Sequence, residues 1–258
     1  MPQGQLHGKT ALITGASKGL GRAMAIALAQ EGASLALVSR DRGKLESVAV
    51  EAATDARAAD QNRTTRVFVA DVAREEEVAR LRTEVAAVFP RVDILINNAG
   101  INIRKPLTDF TLEEWSSVQN TNVTAVFLMC RAFIPMMKGA GYGRILNMTS
   151  TMSHVSMPLR TAYSTSKAAL LGLTKALALE LAPDAITVNG ISPGPFATEM
   201  NLPLTQDAAL NAHFISRIPL GRWGKVEEVG RLAVYLCSQD AGFITGTDVL
   251  IDGGWCAQ

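Results

Sequence analysis

The sequence spends little on sulfur bridges, aromatic rings or blocks of charge. Its three cysteines, Cys130, Cys237 and Cys256, are odd in number and far apart. That argues against a disulfide framework and suits a reducing compartment. Aromatic residues are 5 % of the chain, and 25 Lys and Arg against 24 Asp and Glu leave a net charge of +1. The signs are interspersed, so there is neither a basic arm nor a stacking platform for nucleic acid. No apolar run is long enough to cross a bilayer. The first ten residues, MPQGQLHGKT, lack the apolar core of a signal peptide. A cytoplasmic protein with no membrane or nucleic-acid partner is expected. No repeat or low-complexity linker divides the 258 residues, 48 % of them apolar. They read as one domain with a substantial core.

What is present is an alternation of short apolar runs with amphipathic stretches. Strands are expected at Lys9–Thr14, Ser34–Ser39, Arg66–Ala70, Val92–Ile96, Arg144–Thr149, Ile186–Ile191 and Asp248–Ile251. Helices are expected after Gly21, over Asp41–Ala59, after Asp71, over Thr111–Lys138, around Tyr163, over Asp207–Ile218 and over Val226–Cys237. This order predicts an α/β fold: a doubly wound parallel sheet with helices on both faces, in a single domain. Ligands of such sheets sit at the carboxyl ends of the strands. The chemistry-bearing residues of this chain collect there.

The first strand runs into Gly15-Ala-Ser-Lys-Gly-Leu-Gly21 and then a helix. Glycines between a strand and a helix let a dinucleotide pyrophosphate approach backbone N–H groups and the helix N-terminus. The second strand ends in Ser39-Arg40, with Lys18 nearby in the glycine turn. An acidic residue there would repel a ribose 2′-phosphate, whereas a hydroxyl and two cations suit it, so NADP(H) is expected over NAD(H). The other reading of Lys18 and Arg40 is solvated surface charge. Asp41, one residue on, is a complication for the cofactor assignment. Asp71 closes the third strand and could take an adenine amino group, cap the next helix, or both. Asn97-Asn-Ala-Gly100 follows the fourth strand. Asn122 lies inside an apolar helix, where its amide needs partners. It reads as a kink, as an inter-helix hydrogen bond, or as a group holding water near the residues described next.

Ser150 follows the fifth strand, and Tyr163 and Lys167 follow thirteen and seventeen residues later. The i, i+4 spacing of Tyr163 and Lys167 places both on one helix face. An ammonium beside a phenol is expected to pull the phenol pKa down from about 10, so that it can exchange a proton with an alcohol.

Taken together, Thr14-Gly15-Ala-Ser-Lys-Gly-Leu-Gly21, Asn97-Asn-Ala-Gly100, Asn122, Ser150, Tyr163-Ser-Thr-Ser-Lys167 and Pro193-Gly194 resemble the classical short-chain dehydrogenase/reductase family. The resemblance spans essentially the whole chain. It implies a Rossmann-type domain, a nicotinamide cofactor and a homotetramer. It implies that Ser150 orients the substrate oxygen, that Tyr163 exchanges the proton, that Lys167 tunes Tyr163 and holds the nicotinamide ribose, and that Asn122 fixes a relaying water. It places the cofactor against Gly15, Ser17, Lys18, Gly19, Leu20 and Gly21, then Ser39 and Arg40, Asp71 and Val72, Asn98, Ala99 and Gly100, Tyr163 and Lys167, and Pro193, Gly194, Phe196 and Thr198. No metal is implied. Two departures stand out. Phe196 is bulky where a small residue is usual, and is expected to reshape the nicotinamide end. The helix after Gly224 lacks an opening proline, and a packing effect alone is expected.

The stretch Asn98-Ala-Gly-Ile-Asn-Ile-Arg104-Lys105-Pro106 resembles sugar-acid members such as gluconate 5-dehydrogenase. Arg104 would then bind a carboxylate; its other reading is a surface arginine near a subunit contact. His154 and Arg160 are further candidates for the substrate pocket. A lid is expected over about 199–217, with Met200, Leu202, Leu204, Phe214 and Ile215 as its apolar cover. The function expected is hydride transfer between NADP(H) and a secondary alcohol or ketone, with a sugar acid as one candidate. The alternatives are a 3-oxoacyl thioester reductase of the same family and a catalytically idle NADP(H)-binding protein.

Overall fold

The computed structural model describes residues 4–54, 63–201 and 206–257. Strand β1, Thr10–Thr14, is buried throughout and lies inside the sheet with a strand on either side, as suits a run with an apolar middle. Around it stand β2 (Ser34–Ser39), β3 (Thr65–Val69), β4 (Ile94–Asn97), β5 (Gly143–Met148), β6 (Ile186–Pro193) and β7 (Asp248–Ile251). The order is β3-β2-β1-β4-β5-β6-β7, and every pairing is parallel. The direction of winding reverses between β1 and β4, which opens a crevice at their carboxyl ends.

Period-two alternation sorts the strand side chains between two cores. Ala11, Ile13, Leu35, Leu37, Ile94, Ile96, Leu146 and Met148 face one. That core is closed by α1 (Gly19–Gln30), α2 (Arg42–Thr54) and the last helix, α8 (Val226–Cys237). Leu12, Ala36, Val38, Leu95 and Ile145 face the other. There α3 (Glu75–Ala86), α5 (Ala125–Met137) and α6 (Thr161–Leu181) cover the sheet. The three cysteines are free, and Cys130 and Cys237 are buried.

Several elements depart from expectation in instructive ways. The helix expected from Thr111 is three pieces: α4 (Leu112–Gln119), a π-turn over Asn120–Thr124, and α5. The capping box is present: Thr111 Oγ1 accepts from Glu114 N at 3.2 Å, and Glu114 Oε2 accepts from Thr111 N at 2.9 Å. Pro135 sits inside the last turn of α5. Asp71 does not cap α3. That helix begins at Glu75, and Asp71 Oδ1 instead accepts from Ala73 N at 3.0 Å, closing the turn before it. Helix α8 opens without a proline, and Glu228 Oε2 accepts from Lys225 N at 2.8 Å in its place. The expected lid contains a helix, α7 (Ala208–Ser216), capped by Asp207 Oδ1 on Ala209 N and Leu210 N. Residues 55–59 of the second expected helix lie outside the described residues. So do Leu202, Leu204 and the side chain of Met200.

Candidate active site

A cavity of about 510 Å³ runs along the carboxyl ends of the strands. That volume is within the range of small-molecule sites. Ser150, Tyr163 and Lys167 all line it. Ser150 leaves β5 and opens a 3₁₀ turn, Thr151–Ser153, its Oγ accepting from Met152 N at 3.1 Å. Tyr163 and Lys167 lie in the first two turns of α6, and the Lys167 Nζ is 5.7 Å from the Tyr163 ring centroid.

The electrostatics differ from the sequence expectation. Burial pushes the Tyr163 phenol above its ordinary range; a hydrogen bond from Ser150 and the guanidinium charges of Arg160 and Arg104 pull the other way. Burial pushes Lys167 itself down to about 8, and its Nζ donates to Met148 O at 2.5 Å. The expected drop in the phenol pKa is therefore not seen in the protein alone, because the burial of Tyr163 itself outweighs the groups that lower it.

Asn122 is fully buried in the π-turn. Its Oδ1 accepts from Ile101 N at 2.8 Å, and its Nδ2 donates to Ile101 O and to Ser166 Oγ, both at 2.9 Å. The amide thus ties the Gly100 loop to α6, which is the inter-helix bond the sequence allowed. It does not line the cavity but stands behind Gly100, where a Cβ would lie 3.2 Å from its Oδ1 and 3.6 Å from Lys167 Nζ.

At the other end of the cavity lies the glycine turn. Gly15 has φ +64°, and a Cβ at Gly21 would lie 2.3 Å from Gly15 O. Gly21 therefore serves the packing of α1 on its own turn and, unlike Gly15 and Gly19, does not line the cavity. Ser17, Lys18, Leu20, Ser39, Arg40, Asp71, Val72, Asn98, Ala99, Gly100, Pro193, Gly194 and Thr198 do. Arg40 is exposed, with Asp71 Oδ2 at 3.6 Å. The carboxylate of Asp41 is occupied elsewhere, accepting from Lys44 N at 3.1 Å and pairing with Lys44 Nζ at 3.2 Å. Phe196 borders the cavity, but its ring lies against Gly224, where a Cβ would be 2.5 Å from it. Its bulk is absorbed by that glycine and by the core.

A family model described as "Enoyl-(Acyl carrier protein) reductase" matches residues 15–256. D-beta-hydroxybutyrate dehydrogenase of Rhizobium meliloti is 37 % identical over 97 % of this chain and 99 % of its own. Gluconate 5-dehydrogenase of Gluconobacter oxydans is also 37 % identical, over 96 % of this chain and 95 % of its own. Among solved structures, a gluconate 5-dehydrogenase from Burkholderia cenocepacia in complex with NADP and tartrate superposes with TM-score 0.89 at 34 % identity, covering 98 % of this chain and 97 % of that one. The chain belongs to the short-chain dehydrogenase/reductase family. It is an oxidoreductase of hydroxyl and keto substrates.

Within this short-chain dehydrogenase/reductase, the substrate candidates separate. Arg104 and Arg160 line the cavity, and His154 does not. The His154 ring turns away to Asp248 on β7, with Nε2 at 2.6 Å from Oδ2. Burial and the neighbouring Arg104 charge push Arg160 down from the ordinary guanidinium range. Its Nη1 is buried with no partner among the described residues. Arg104 Nη2 donates to Asn201 Oδ1 at 3.4 Å, at the start of the expected lid. The lid helix α7 carries no buried side chain, and its Phe214 stacks between Trp223 and Trp255, at 5.7 and 6.0 Å.

Sequence reasoning missed several residues. Lys44 lines the cavity beside Arg40. Placing the start of α2 at Arg42 would have found it, one turn past the end of β2. Asn102 lines the cavity with its Oδ1 buried and without a partner among the described residues. Thr14 Oγ1 accepts from Asn98 N and Ala99 N at 3.0 and 3.1 Å, joining the glycine turn to the Asn98 loop. Asn102 lies in the stretch that resembles sugar-acid members but was passed over beside Arg104, while no pattern in the sequence announces Trp223 or Trp255. They meet the cavity only through folding of distant segments.

Proposed function

We propose that this enzyme transfers hydride between NADP(H) and the carbinol or carbonyl carbon of a small hydroxy acid, of which sugar acids are the leading class. One observation carries this reading. The Arg160 Nη1 donor and the Asn102 Oδ1 acceptor, both orphaned, line the same cavity as Ser150 and Tyr163. A buried donor and acceptor without partners are costly. A carboxylate satisfies the first and a hydroxyl the second, the hydroxyl in either orientation of the amide. Arg104 adds a second cation for the same anion. The tartrate bound by the Burkholderia relative is likewise a hydroxy acid.

The cofactor fits the residues present. The positive φ of Gly15 and the N-terminus of α1 form a cradle for a pyrophosphate. Lys18 and Arg40 would hold a 2′-phosphate, since the Asp41 carboxylate is engaged by Lys44. When bound, the cofactor supplies or accepts the hydride. Ser150 orients the substrate oxygen. Tyr163, kept protonated at neutral pH by its burial, donates to a carbonyl oxygen, or takes the proton back from an alcohol once a more cationic surrounding stabilises the phenolate. Lys167 keeps donors beyond the one on Met148 O for ribose hydroxyls, and Asn122 holds the Gly100 loop against it. The water-relaying role of Asn122 belongs to the same proposal.

The second reading, a 3-oxoacyl thioester reductase, is supported by the 3-oxoacyl-[acyl-carrier-protein] reductase of Thermotoga maritima, 36 % identical over 97 % of this chain and 98 % of its own. It would lay methylenes over an unpaired guanidinium, which is unfavourable. Spectrophotometric NADPH oxidation with keto-sugar acids and with 3-oxoacyl thioesters distinguishes the two. The proposal expects kcat/KM at least about tenfold higher for the keto acids, falling about tenfold in Arg160→Gln. Preference for the thioester, unaffected by Arg160→Gln, contradicts it.

A further inference from the structure

The strongest unexplained cluster lies behind Ser150 rather than in the cavity. Asp248 opens β7, and its side chain is only 10 % exposed. Thr149 Oγ1 lies 2.5 Å from its Oδ1. Ser192 Oγ lies 2.5 Å and His154 Nε2 2.6 Å from its Oδ2. One carboxylate thus gathers donors from the end of β5, the end of β6 and the turn that follows Ser150. Thr149 directly precedes Ser150. His154 ends the 3₁₀ turn that Ser150 opens. Ser192 Oγ also lies 3.0 Å from the Ser150 carbonyl oxygen. Thr149 and His154 are therefore close to Ser150 in the chain, and Ser192, whose single O–H proton serves either the Asp248 carboxylate or the Ser150 carbonyl, lies against it.

This arrangement is not needed to hold the sheet edge. Strand β7 is already paired with β6 through the register Gly190↔Asp248 to Pro193↔Ile251. A buried carboxylate is a costly way to fill space, and apolar side chains do so at least as well. The chain also gives up a Cβ for it: at Gly190 that atom would lie 1.9 Å from Asp248 Oδ1. What two committed positions hold in place is the backbone on both sides of Ser150. Ser150 has no other side chain fixing both flanks of its turn among the described residues; its own Oγ is engaged locally by Met152 N.

We propose that Asp248 is a positioning residue for the reaction, acting through Thr149, Ser192 and His154 to hold the Ser150 hydroxyl where the substrate oxygen binds. Asp248, Ser192 and His154 do not line the cavity. The inference rests on the oxidoreductase activity and not on the substrate or cofactor preference. Any ketone and cofactor that the wild-type enzyme turns over can serve as the probe.

The test is a double-mutant cycle read in kcat, with the cofactor dissociation constant measured alongside. Asp248→Ala is expected to lower kcat about tenfold while cofactor affinity stays within about twofold. Asp248→Asn keeps an acceptor for Thr149 and a polar partner for Ser192 and His154, so it should recover most of the loss. In a Ser150→Ala background, Asp248→Ala should cost less than about twofold more, because its effect passes through the missing hydroxyl. A full further tenfold loss in that background overturns the proposal, as does wild-type kcat in Asp248→Ala. If Asp248→Ala does not fold, His154→Ala removes one strut from a partly exposed position. It should show the same non-additivity with Ser150→Ala at smaller amplitude, and additive losses overturn the proposal equally.

Discussion

Lys167 is the residue whose setting departs furthest from what its spacing suggested. Its pKa falls from 10.5 to about 8 because it is buried. For a base, a lowered folded value means that the unfolded chain binds the extra proton between about pH 8 and 10.5. Stability therefore rises with pH across that window, and the penalty is fully present below it. The fall corresponds to about 3 kcal/mol at neutral pH. Lys167→Met, which removes the charge and keeps the volume, is thus expected to raise the melting temperature of the protein alone at pH 7. The gain should shrink toward pH 10, and turnover should be lost. A gain independent of pH would show that the buried charge is not the cause. Arg40 offers a second residue-scale test, since it stands exposed at the cavity edge. Arg40→Asp is expected to weaken NADPH by about ten- to a hundredfold and NADH by less than about threefold, as read by fluorescence titration. Comparable losses for both cofactors would remove Arg40 from a 2′-phosphate site.

Elements show where sequence patterns run out. The apolar periodicity from Thr111 onward foretold a helix, and its capping box is as the spacing required. Nothing in that periodicity marks the π-turn at Asn120–Thr124, because one extra residue per turn is set by what Asn122 must reach rather than by local propensity. The His154 assignment failed for a related reason. Four residues past Ser150 it is near the site in sequence, but the 3₁₀ turn swings it to Asp248 instead of into the pocket. The lid helix is legible from its Asp207 cap. Its attachment is not, since Phe214 meets Trp223 and Trp255 from distant segments. With no buried side chain in α7, that ring stack and the hydrogen bond from Trp223 Nε1 to Asn211 Oδ1 at 2.7 Å tie it down. Phe214→Ala is expected to raise the substrate KM severalfold and to speed proteolytic cleavage near 206–217, with the global melting midpoint nearly unchanged, because the lid opens locally. A large global destabilisation with unchanged KM would instead make Phe214 a core residue.

At the scale of the molecule, the alternation of strands and helices was enough to foretell one parallel sheet with two covered faces and a site at its carboxyl edge. β1, β2 and β4 are buried on both faces, as continuous apolar runs predict, and their successive side chains alternate between the two cores. The strand order and the convergence of Asn102, Arg104 and Arg160 are set by contacts between segments far apart in the chain. Among the described residues, no helix is long and apolar enough to cross a membrane. The homotetramer is an expectation carried by the family resemblance alone. Light scattering should give a particle of four 27.5 kDa chains; a single chain of that mass contradicts it. The account as a whole turns on the buried phenol of Tyr163 as the group that moves the proton. The most direct measurement compares wild type with Tyr163→Phe in NADPH oxidation by an accepted ketone, with NADPH affinity measured in parallel. The predicted result is unchanged affinity and a loss of turnover of about 10²–10⁴-fold; turnover near wild type would contradict the account.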